Sequence, residues 1–343
     1  MDAARYYGNR DLRIEDIQAP TPGPGEVLID VGACGICGSD LSEYLHGPRY
    51  DDSLPYTMGH EFGGRVAAVG DEVDIEPGSE VGVNPLVACE ACRWCDEGAY
   101  NRCENLEVIG AQRPGAYAEQ VVAPAGNVLP LPDSLSPADA AVAEPFTVAY
   151  HGLLRSPLQP GDSAVIIGMG PIGLALVQLA AAAGARPIIA SGHREARREL
   201  ARESGADAVV DPSATDLGAR VRELTDGGAD VSFEVAGSES ALNDAITATS
   251  AGGNTTVLGV FKGDVEIDPM HVVNHERTIT GSAAYETGPL AGREFGQIYE
   301  MLARDELDGD ALVTSRLDLE EITSGFEALG DSESGEVKIL IEP

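Results

Sequence analysis

The spacing of hydrophobic positions divides the chain into two regions. In the first hundred or so residues, short apolar segments are interrupted by Gly and Pro. There, Val27–Val31 and Gly63–Val69 have the pattern of strands, and Pro20–Gly25 has the composition of a turn-rich connector. From about Gly161 onward, strand-like runs alternate with helical patterns, which is typical of βαβ units and predicts a parallel sheet.

In that second region, strands are predicted at Ala164–Ile167, Pro187–Ala190, Ala208–Val210, Asp230–Val235 and Thr255–Val260, and helices at Pro171–Ala183, Arg194–Ser204, Leu217–Thr225 and Ser240–Ala248. After about Gly281 the alternation gives way to a mixed pattern. The chain then ends in Glu336–Ile341, a strand-like segment that could rejoin the first region. We therefore predict a β-rich domain and an α/β domain.

The length of the chain also favours two domains, because 343 residues exceed the roughly 250–300 at which single hydrophobic cores stop growing. No stretch approaches the roughly 20 apolar residues that span a bilayer, so no membrane partner is expected. The N-terminal segment MDAARYYGNRDLRIED carries charges where a secretion signal requires an apolar core. We expect a cytoplasmic protein.

The charge balance is strongly acidic, with 57 Asp+Glu against 22 Lys+Arg and a formal net charge of −35. Such a surface repels phosphate backbones and anionic lipid, which argues against nucleic acid and membrane partners. Lys262 and Lys338 are the only lysines. The acidic residues are dispersed along the chain, which favours adaptation to high salt over a docking face for a basic partner.

Four of the six cysteines form one compact pattern. Cys89, Cys92, Cys95 and Cys103 are spaced C-x2-C-x2-C-x7-C. Four thiolates on a tight loop can close a tetrahedral shell around zinc, and closed sites of this kind are structural. Disulfides are disfavoured because the chain has no secretion signal and because these cysteines are too close in sequence to pair comfortably.

The other two cysteines, Cys34 and Cys37, allow two interpretations. A redox C-x-x-C pair is one, but no thioredoxin-like βαβ pattern surrounds it. In the other, Cys37 is one ligand of an open metal site completed by distant residues. His60 and Glu61 offer an imidazole and a carboxylate side by side, and Glu144 offers a carboxylate near the domain boundary. Such a ligand set leaves a coordination position for water or substrate.

A glycine-rich loop follows the first strand of the α/β region. Gly168, Gly170 and Gly173 form G-x-G-x-x-G between that strand and a helix. The glycines permit a tight turn, close approach of backbone to a pyrophosphate, and close packing of helix on strand. Because the βαβ context is correct, the motif predicts dinucleotide binding.

Together these segments resemble the zinc-containing medium-chain alcohol dehydrogenase family, in its polyol/2,3-butanediol dehydrogenase branch. The resemblance is carried by CGICGSDLSEYLHGP, MGHEFGGRVAAVG, the four-Cys lobe with GAYNRC, GAYAEQVVAP, AEPFTVAYHG and VIIGMGPIGL. It implies a GroES-like catalytic domain (1–150 and 286–343, with the zinc lobe at about 85–105) and a Rossmann domain (151–285). It also implies one catalytic and one structural zinc per subunit, and a homodimer or homotetramer.

The resemblance further implies roles for individual residues. Cys37, His60 and either Glu61 or Glu144 would surround the catalytic zinc; both acids stay open because relatives differ in which one ligates. Ser39 would contact the substrate oxygen and begin the proton relay. Ser42 stands where butanediol-type and sorbitol-type relatives usually have a His that passes the proton onward, so the relay beyond Ser39 and the assignment to butanediol stay open.

The implied cofactor contacts lie at strand ends of the Rossmann domain. They are Gly168, Gly170, Pro171, Ile172, Gly173, Ser191, Gly192, His193, Arg194, Arg197, Val235, Leu258 and Val260. Gly192 aligns with the acid that binds the ribose hydroxyls in NAD-specific relatives, and basic residues follow it. We therefore predict NADP as the preferred cofactor, with NAD possible. In the alternative, the arginines only decorate an exposed helix face and pair with Glu195 and Glu199.

The predicted function is zinc-dependent hydride transfer between NADP(H) and a small alcohol, diol, polyol or sugar. A zinc-free quinone or enoyl reductase shares the two-domain plan but would lack the four-Cys lobe and the Cys/His/Glu set, both of which are present. A non-catalytic nucleotide-binding relative would have lost Cys37, His60 or Glu144, and none is lost.

Overall fold

The computed structural model describes residues 1–48 and 54–343. These residues form two compact units, Met1–Glu144 with Tyr285–Pro343, and Pro145–Ala284. The first boundary falls inside the long helix Pro137–Arg155. Among the described residues, no helix combines the length and apolar character needed to cross a membrane.

The N-terminal part of the first unit is built mainly of short strands. Its strands are β1 (Asp2–Gly8), β2 (Asp11–Asp16), β3 (Glu26–Gly35), β4 (Tyr56–Thr57), β5 (Glu61–Val69), β6 (Glu80–Val83), β7 (Leu86–Val87), β8 (Glu107–Val108), β9 (Gln120–Pro124) and β10 (Val128–Pro130), and its helices are α1 (Gly38–His46), α2 (Arg93–Asp96) and α3 (Pro137–Arg155).

The second unit follows in the chain, and the C-terminal part of the first unit comes last. The second unit contains β11 (Ala164–Ile167), α4 (Pro171–Ala182), β12 (Ile188–Ser191), α5 (Glu195–Glu203), β13 (Ala208–Val210), α6 (Leu217–Leu224), β14 (Ala229–Glu234), α7 (Glu239–Ala248), β15 (Thr249–Val257), α8 (Met270–Val273) and β16 (Thr278–Gly281). The C-terminal part contains α9 (Ala291–Ala303), β17 (Val313–Asp318), α10 (Ile322–Gly330) and β18 (Lys338–Glu342).

The main sheet of the first unit joins the two ends of the chain. Its strand order is β10-β6-β5-β3-β18-β17, with β9 also paired to β3. Antiparallel pairing places Leu340 opposite Gly35 and Ile341 opposite Cys34, so the C-terminal strand rejoins the N-terminal region as its sequence pattern predicted. An apolar core that includes Phe62, Tyr117 and Phe326 packs against this sheet. Residues widely separated in sequence therefore meet at the end of β3.

The second unit has one six-stranded parallel sheet in the order β13-β12-β11-β14-β15-β16. All four residues of β11 are buried, as expected of a central strand covered on both faces. The strand order reverses between β11 and β14, and in doubly wound sheets a dinucleotide binds across the carboxyl ends of the strands at such a reversal.

One strand of this sheet is longer than its pattern predicts. β15 begins at Thr249, directly after α7, whereas the apolar run begins only at Thr255. Residues 250–253 of the strand are exposed or partly exposed, Gly252 adopts φ +78°, and the pairing with β14 shifts register there, since Thr249 lies opposite Ala229 and Asn254 opposite Val231. On either side of this irregular stretch, Thr249 Oγ1 and Thr255 Oγ1 lie 2.8 and 2.9 Å from the buried Ser232 Oγ. The irregular stretch interrupts the apolar pattern near the start of the strand.

Candidate functional site

The turn between β3 and α1 places Cys37 at the N-terminus of a helix. Cys37 is the N-cap of α1, and its Sγ accepts the backbone N–H of Ser39 at 3.5 Å. In return, Asp40 Oδ2 accepts the backbone N–H of Cys37 at 3.4 Å, which completes a capping box. Local capping therefore fixes the thiol at the end of β3.

The pairing of β3 with β5 brings a second pair of candidate ligands to this turn. Gly35 lies opposite Glu61, the first residue of β5, and His60 immediately precedes it. One ligand atom each from Cys37, His60 and Glu61 lies within 4.8 Å of the other two. A thiolate, an imidazole and a carboxylate at this spacing suit a zinc ion and leave a fourth position for another ligand.

A buried hydrogen-bonded chain lies behind His60. Its Nδ1 is 3.4 Å from Asp40 Oδ1, and Tyr117 donates its hydroxyl proton to Asp40 Oδ2 at 2.6 Å. Burial lowers the pKa of His60, but the charges of Asp40 and Cys37 raise it, and the net result lies well above the usual value. A carboxylate behind a histidine ligand fixes the orientation of its ring.

Glu61 has an ion-pair partner within the same unit. Lys338 Nζ donates to Glu61 Oε2 at 2.5 Å and to the carbonyl of Ile36 at 2.9 Å, and the two side chains are only 1% and 2% exposed. Burial lowers the pKa of Lys338, while the charges of Glu61 and Cys37 raise it above the usual value overall. The first residue of β18 thus supplies a positive charge to the candidate metal centre.

Glu144, the other candidate acid, has a different hydrogen-bond partner. It is buried, and the hydroxyl of Tyr285 donates to its Oε1 at 2.7 Å. Burial and the negative charge of Glu61 raise the pKa of Glu144 to about 7. Among the described residues, the group of ligand atoms within 4.8 Å includes Glu61 and does not include Glu144.

Four further side chains of the same region can be placed. Ser39, in the first turn of α1, is half-buried, and so is Ser42 one turn later. Tyr44 is 1% exposed and packs its ring on Phe326 at 4.9 Å. Cys34 lies in the apolar core, which argues against an exposed redox pair with Cys37.

The four-cysteine lobe forms a second group of ligands. Cys89, Cys92, Cys95 and Cys103 each place Sγ within 4.8 Å of the other three. The Sγ atoms of Cys89 and Cys103 are 3.3 Å apart and those of Cys92 and Cys95 are 3.5 Å apart, far beyond the roughly 2.05 Å of a disulfide, and all four are free thiols.

The environments of these thiols differ. Hydrogen bonds, first from the backbone of Ala91, lower the pKa of Cys89 to about 6, whereas burial raises that of Cys95 to about 12. The chain's single tryptophan, Trp94, lies between two of the four cysteines, with the guanidinium carbon of Arg93 4.9 Å from its ring centroid. A set of four thiols that share one small space fits a closed zinc shell.

The glycine-rich loop of the second unit has the shape that phosphate binding requires. Gly168 adopts φ +108°, which favours glycine, and a Cβ at Gly173 would overlap the carbonyl of Gly168. Gly170 is the N-cap of α4 and Pro171 is its first residue, followed by Ile172. No atom lies within 4 Å of the Cβ position of Gly170, so backbone N–H groups at the helix N-terminus are open to an anion.

The end of β12 carries the residues predicted to choose the cofactor. Ser191 is buried, and its Oγ has no hydrogen-bond partner among the described residues. A Cβ at Gly192 would lie 3.0 Å from the side chain of Met169. His193 Nδ1 is 2.9 Å from Ser213 Oγ. These side chains leave an unused buried hydroxyl at the strand end.

The arginines of α5 fall into two groups. Arg198 donates to the carbonyls of Gly192 and His193, at 2.7 and 2.6 Å, and lies 3.2 Å from Asp211, so it holds the loop itself. Burial, together with the charge of Arg194, lowers the pKa of Arg197 to about 10. A guanidinium group whose positive charge is disfavoured by burial and by a second guanidinium is in an environment that favours an anion.

The remaining predicted contacts follow the next two strands. The backbone N–H of Val235, after β14, donates to Ile167 at 3.0 Å. Leu258 follows β15 and is 9% exposed, whereas Val260 is 69% exposed. The structure thus brings these residues and the glycine-rich loop to the carboxyl edge of one sheet.

Several site residues were missed in the sequence. The missed residues are Asp40, Tyr117, Tyr285 and Lys338 around the metal ligands, and Glu234 at the end of β14. Asp40 could have been found as the capping partner in C-x-x-D, and Lys338 by the rarity of lysine in this chain. Nothing in the sequence pointed to Tyr117 and Tyr285, because an isolated tyrosine in an apolar segment is predicted to be a residue of the hydrophobic core.

Comparisons with known proteins agree with this geometry. The model of the alcohol dehydrogenase GroES-like domain matches residues 23–133, and that of the zinc-binding dehydrogenase matches residues 171–304. The chain is 38% identical over 357 residues to (R,R)-butanediol dehydrogenase of Bacillus subtilis (strain 168), with 100% of both chains covered. The chain belongs to the zinc-type medium-chain alcohol dehydrogenase family.

Two further relatives of this dehydrogenase are informative. Sorbitol dehydrogenase of Bacillus subtilis (strain 168) is 34% identical over 349 residues, covering 100% of this chain and 98% of that one. A zinc-binding dehydrogenase of Sinorhizobium meliloti 1021, solved bound to NADP, has a TM-score of 0.90 and 33% identity, covering 100% of this chain and 99% of that chain.

These findings confirm the predicted family and fold, a GroES-like domain and a Rossmann domain. They also confirm that the chain is an oxidoreductase of the alcohol and polyol dehydrogenase type. They support the zinc-dependent dehydrogenase over the zinc-free reductase and over the non-catalytic relative.

Proposed function

We propose that this dehydrogenase interconverts a secondary alcohol of a small diol, polyol or sugar and the corresponding ketone, with NADP as its preferred cofactor. The observation that carries the proposal is the convergence of Cys37, His60 and Glu61 within 4.8 Å of one another in a chain of this family. Names of the relatives point to diols and polyols as the substrate class.

In this proposal each residue of the site has a definite task. Cys37, His60 and Glu61 hold a catalytic zinc, and Glu144 holds the water or substrate beside it. Zinc bound there supplies Lewis-acid polarisation of the alcohol oxygen. Ser39 contacts the substrate hydroxyl and relays its proton: the serine oxygen accepts that proton as the serine gives up its own toward solvent. Asp40 fixes the ring of His60, and Lys338 balances the charge of Glu61.

The four-cysteine lobe is proposed to hold the structural zinc, which makes two zinc ions per chain. This proposal is supported by the four free thiols, whose Sγ atoms all lie within 4.8 Å of one another. A closed shell without an open position has no site for substrate, so this ion would stabilise the lobe and take no part in the reaction.

We propose that the ends of β12 and α5 bind the 2′-phosphate of NADP. The support lies in the buried hydroxyl of Ser191, in Gly192, which carries no carboxylate to repel the phosphate, and in the proximity of Arg194 and Arg197. The NADP-bound relative agrees with this choice.

The cofactor proposal is tested by kcat/KM for NADP and for NAD with one good substrate. We expect NADP to be preferred, and we expect Gly192→Asp combined with Arg194→Ala to reverse the preference. Arg220→Ala is a matched control because Arg220 is exposed on α6 and pairs with Glu223. A wild-type preference for NAD would contradict the 2′-phosphate site.

We also propose a cytoplasmic homodimer or homotetramer adapted to high salt. β16 is an edge strand, and several apolar side chains near it are exposed: Ile267, Met270, Val273 and Ile279. A second copy could cover them, since exposed apolar residues next to an unpaired strand edge favour association. Analytical ultracentrifugation in molar salt should find two or four chains per particle, and a particle of 35.7 kDa would contradict this.

The substrate class is tested by a panel of vicinal diols, sugar alcohols, sugars and amino alcohols. Each is assayed with NADP and with NAD in molar salt. We expect the highest kcat/KM with a diol or polyol that carries a secondary hydroxyl. Reduction of quinones or enones without activity on any alcohol would contradict the proposed function.

A further inference from the structure

Glu234, the last residue of β14, is a fully buried carboxyl group held by backbone donors. Its Oε1 accepts the N–H groups of Ala236 at 2.8 Å and Gly237 at 2.7 Å. Its Oε2 is buried and has no hydrogen-bond partner among the described residues, which also give this side chain no basic partner. Burial raises its pKa, and these N–H groups act in the opposite direction. Placing an acid here is costly, which suggests a specific task.

The turn that Glu234 holds packs on the glycine-rich loop. A Cβ at Gly168 would lie 2.9 Å from the backbone nitrogen of Ala236, tighter than any ordinary contact. Gly237 adopts φ +70°, and a Cβ there would lie 2.5 Å from the carbonyl of Val260. The turn after β14 therefore packs against the loop after β11 on one side and against the turn after β15 on the other.

The turn after β15 is tied to the same residue. The N–H groups of Leu258 and Gly259 both donate to the Glu234 carbonyl, at 2.9 and 3.0 Å. A Cβ at Gly259 would overlap Oε2 of Glu234. Glu234 thus connects the turns that follow β14 and β15, the first through its carboxylate and the second through its main-chain carbonyl. The loop after β11 is in contact with Ala236 of the first of these turns.

The topology of the sheet indicates which half of a dinucleotide these turns receive. In the order β13-β12-β11-β14-β15-β16, the reversal lies between β11 and β14. A dinucleotide lies across this reversal, with its adenosine half on the side of β12, where the second strand ends at the ribose. The turns after β14 and β15 then meet the nicotinamide half.

We propose that Glu234 is a positioning residue for the nicotinamide half of the cofactor, because its buried carboxylate holds the turns after β14 and β15 in the shape that receives the nicotinamide riboside. This inference rests on the proposed NADP-linked function. It predicts that loss of the carboxylate weakens binding of the whole cofactor but not of its adenosine fragment.

The experiment compares dissociation constants of two probes for the full-length protein in molar salt. The probes are NADPH, followed by its fluorescence, and adenosine 2′,5′-bisphosphate, followed by calorimetry. Glu234→Ala removes the carboxylate, and Glu234→Gln keeps an amide oxygen that can accept the same N–H groups. Asp230→Ala is the matched control. The Asp230 carboxylate accepts hydrogen bonds from Ser163 N at 2.8 Å and from Ser163 Oγ at 2.7 Å. Asp230 lies near the other end of β14, about 13 Å from Glu234.

We expect Glu234→Ala to raise the Kd of NADPH about tenfold, because the variant loses hydrogen bonds to a charged acceptor. The Kd of the bisphosphate should stay unchanged. Glu234→Gln should restore most of the affinity, and Asp230→Ala should change neither constant. Unchanged NADPH binding by Glu234→Ala, or equal weakening of both probes, would overturn the inference.

A second variant covers the case in which Glu234→Ala does not fold. A methyl group at position 259 would crowd Oε2 of Glu234 and also the backbone of Gly237, so Gly259→Ala disturbs the same two turns. It should weaken NADPH binding selectively in the same way; tight NADPH binding by this variant would overturn the inference. If the wild-type protein bound neither NADPH nor NADH, the proposed cofactor would fail and this inference with it. If the wild-type protein binds NADPH and Glu234→Ala binds it equally tightly, the inference about Glu234 fails while the proposed cofactor stands.

Discussion

Replacing Lys338 by methionine removes one partner of a fully buried ion pair. Lys338 Nζ lies 2.5 Å from Glu61 Oε2 and 2.9 Å from the carbonyl of Ile36, and both charged side chains are at most 2% exposed. Methionine has a similar length and fills the same apolar space, so packing changes little. The substitution leaves Glu61 as a buried negative charge without its partner.

Removal of one partner of a buried ion pair typically costs about 3–5 kcal/mol, most of it the desolvation of the remaining charge. The carbonyl of Ile36 also loses a charged donor. We therefore expect Lys338→Met to lower the free energy of unfolding of the first unit by about 3–5 kcal/mol. A divalent ion bound by Glu61 would bring the loss toward the lower end of this range.

The assay is urea unfolding in molar salt, followed by the fluorescence of Trp94, the single tryptophan, which lies in the first unit. Zinc is kept at the same concentration in all samples. The chain offers a matched control, since Lys262 is its other lysine and is exposed, so Lys262→Met should stay within about 0.5 kcal/mol of wild type.

The double variant Lys338→Met/Glu61→Gln separates charge from packing. Because it removes the uncompensated carboxylate, it should recover at least half of the lost stability. If Lys338→Met were as stable as Lys262→Met, or if the double variant were no more stable than Lys338→Met, the uncompensated charge would not be the cause and the reasoning would be wrong.

Further predictions concern the metal centres and the acidic surface. Cys95→Ser should lose one zinc per chain and shift the Trp94 emission and the apparent Tm; full stability with an unchanged metal count would show that the lobe is misread. Cys37→Ser or His60→Ala should lower kcat by about a thousandfold or more while NADPH binding persists, and normal turnover would contradict the mechanism. Glu144→Ala should reduce kcat more than replacement of an exposed acid does, and equal effects would remove Glu144 from the site. Stability and activity should rise with salt, because the Debye length falls from about 30 Å at 0.01 M to about 3 Å at 1 M, and full stability in dilute buffer would contradict the halophilic interpretation.

The fold was largely predictable because its signals are local. The glycines of the phosphate loop follow a strand and precede a helix, and the four cysteines of the lobe lie within fifteen residues of one another. Each pattern reports one turn whose geometry requires those residue types. The start of β15 was not predicted because residues 250–253 are an irregular, exposed or partly exposed stretch at which the pairing with β14 shifts register. Apolar periodicity cannot report a strand start of that kind.

The surroundings of the metal ligands were much less predictable, because they are assembled by strand pairing. Lys338 reaches Glu61 because β18 returns to β3, across 277 positions of sequence. Tyr285 reaches Glu144 across 141 positions, and Tyr117 reaches Asp40 across 77. No local pattern encodes such distances. The sequence leaves the choice between Glu61 and Glu144 open for the same reason, since it depends on which carboxylate strand pairing brings to Cys37.

The central claim, that zinc held by Cys37, His60 and Glu61 is required for oxidation of an alcohol, is tested most directly by measuring zinc content and turnover in one sample. Zinc per chain is determined by plasma emission spectrometry, and NADP reduction with a diol substrate is followed before chelation, after chelation, and after zinc is restored. We expect two zinc ions per chain, loss of turnover when the more weakly held ion is removed, and recovery with added zinc. Undiminished turnover by a protein free of metal would contradict the claim.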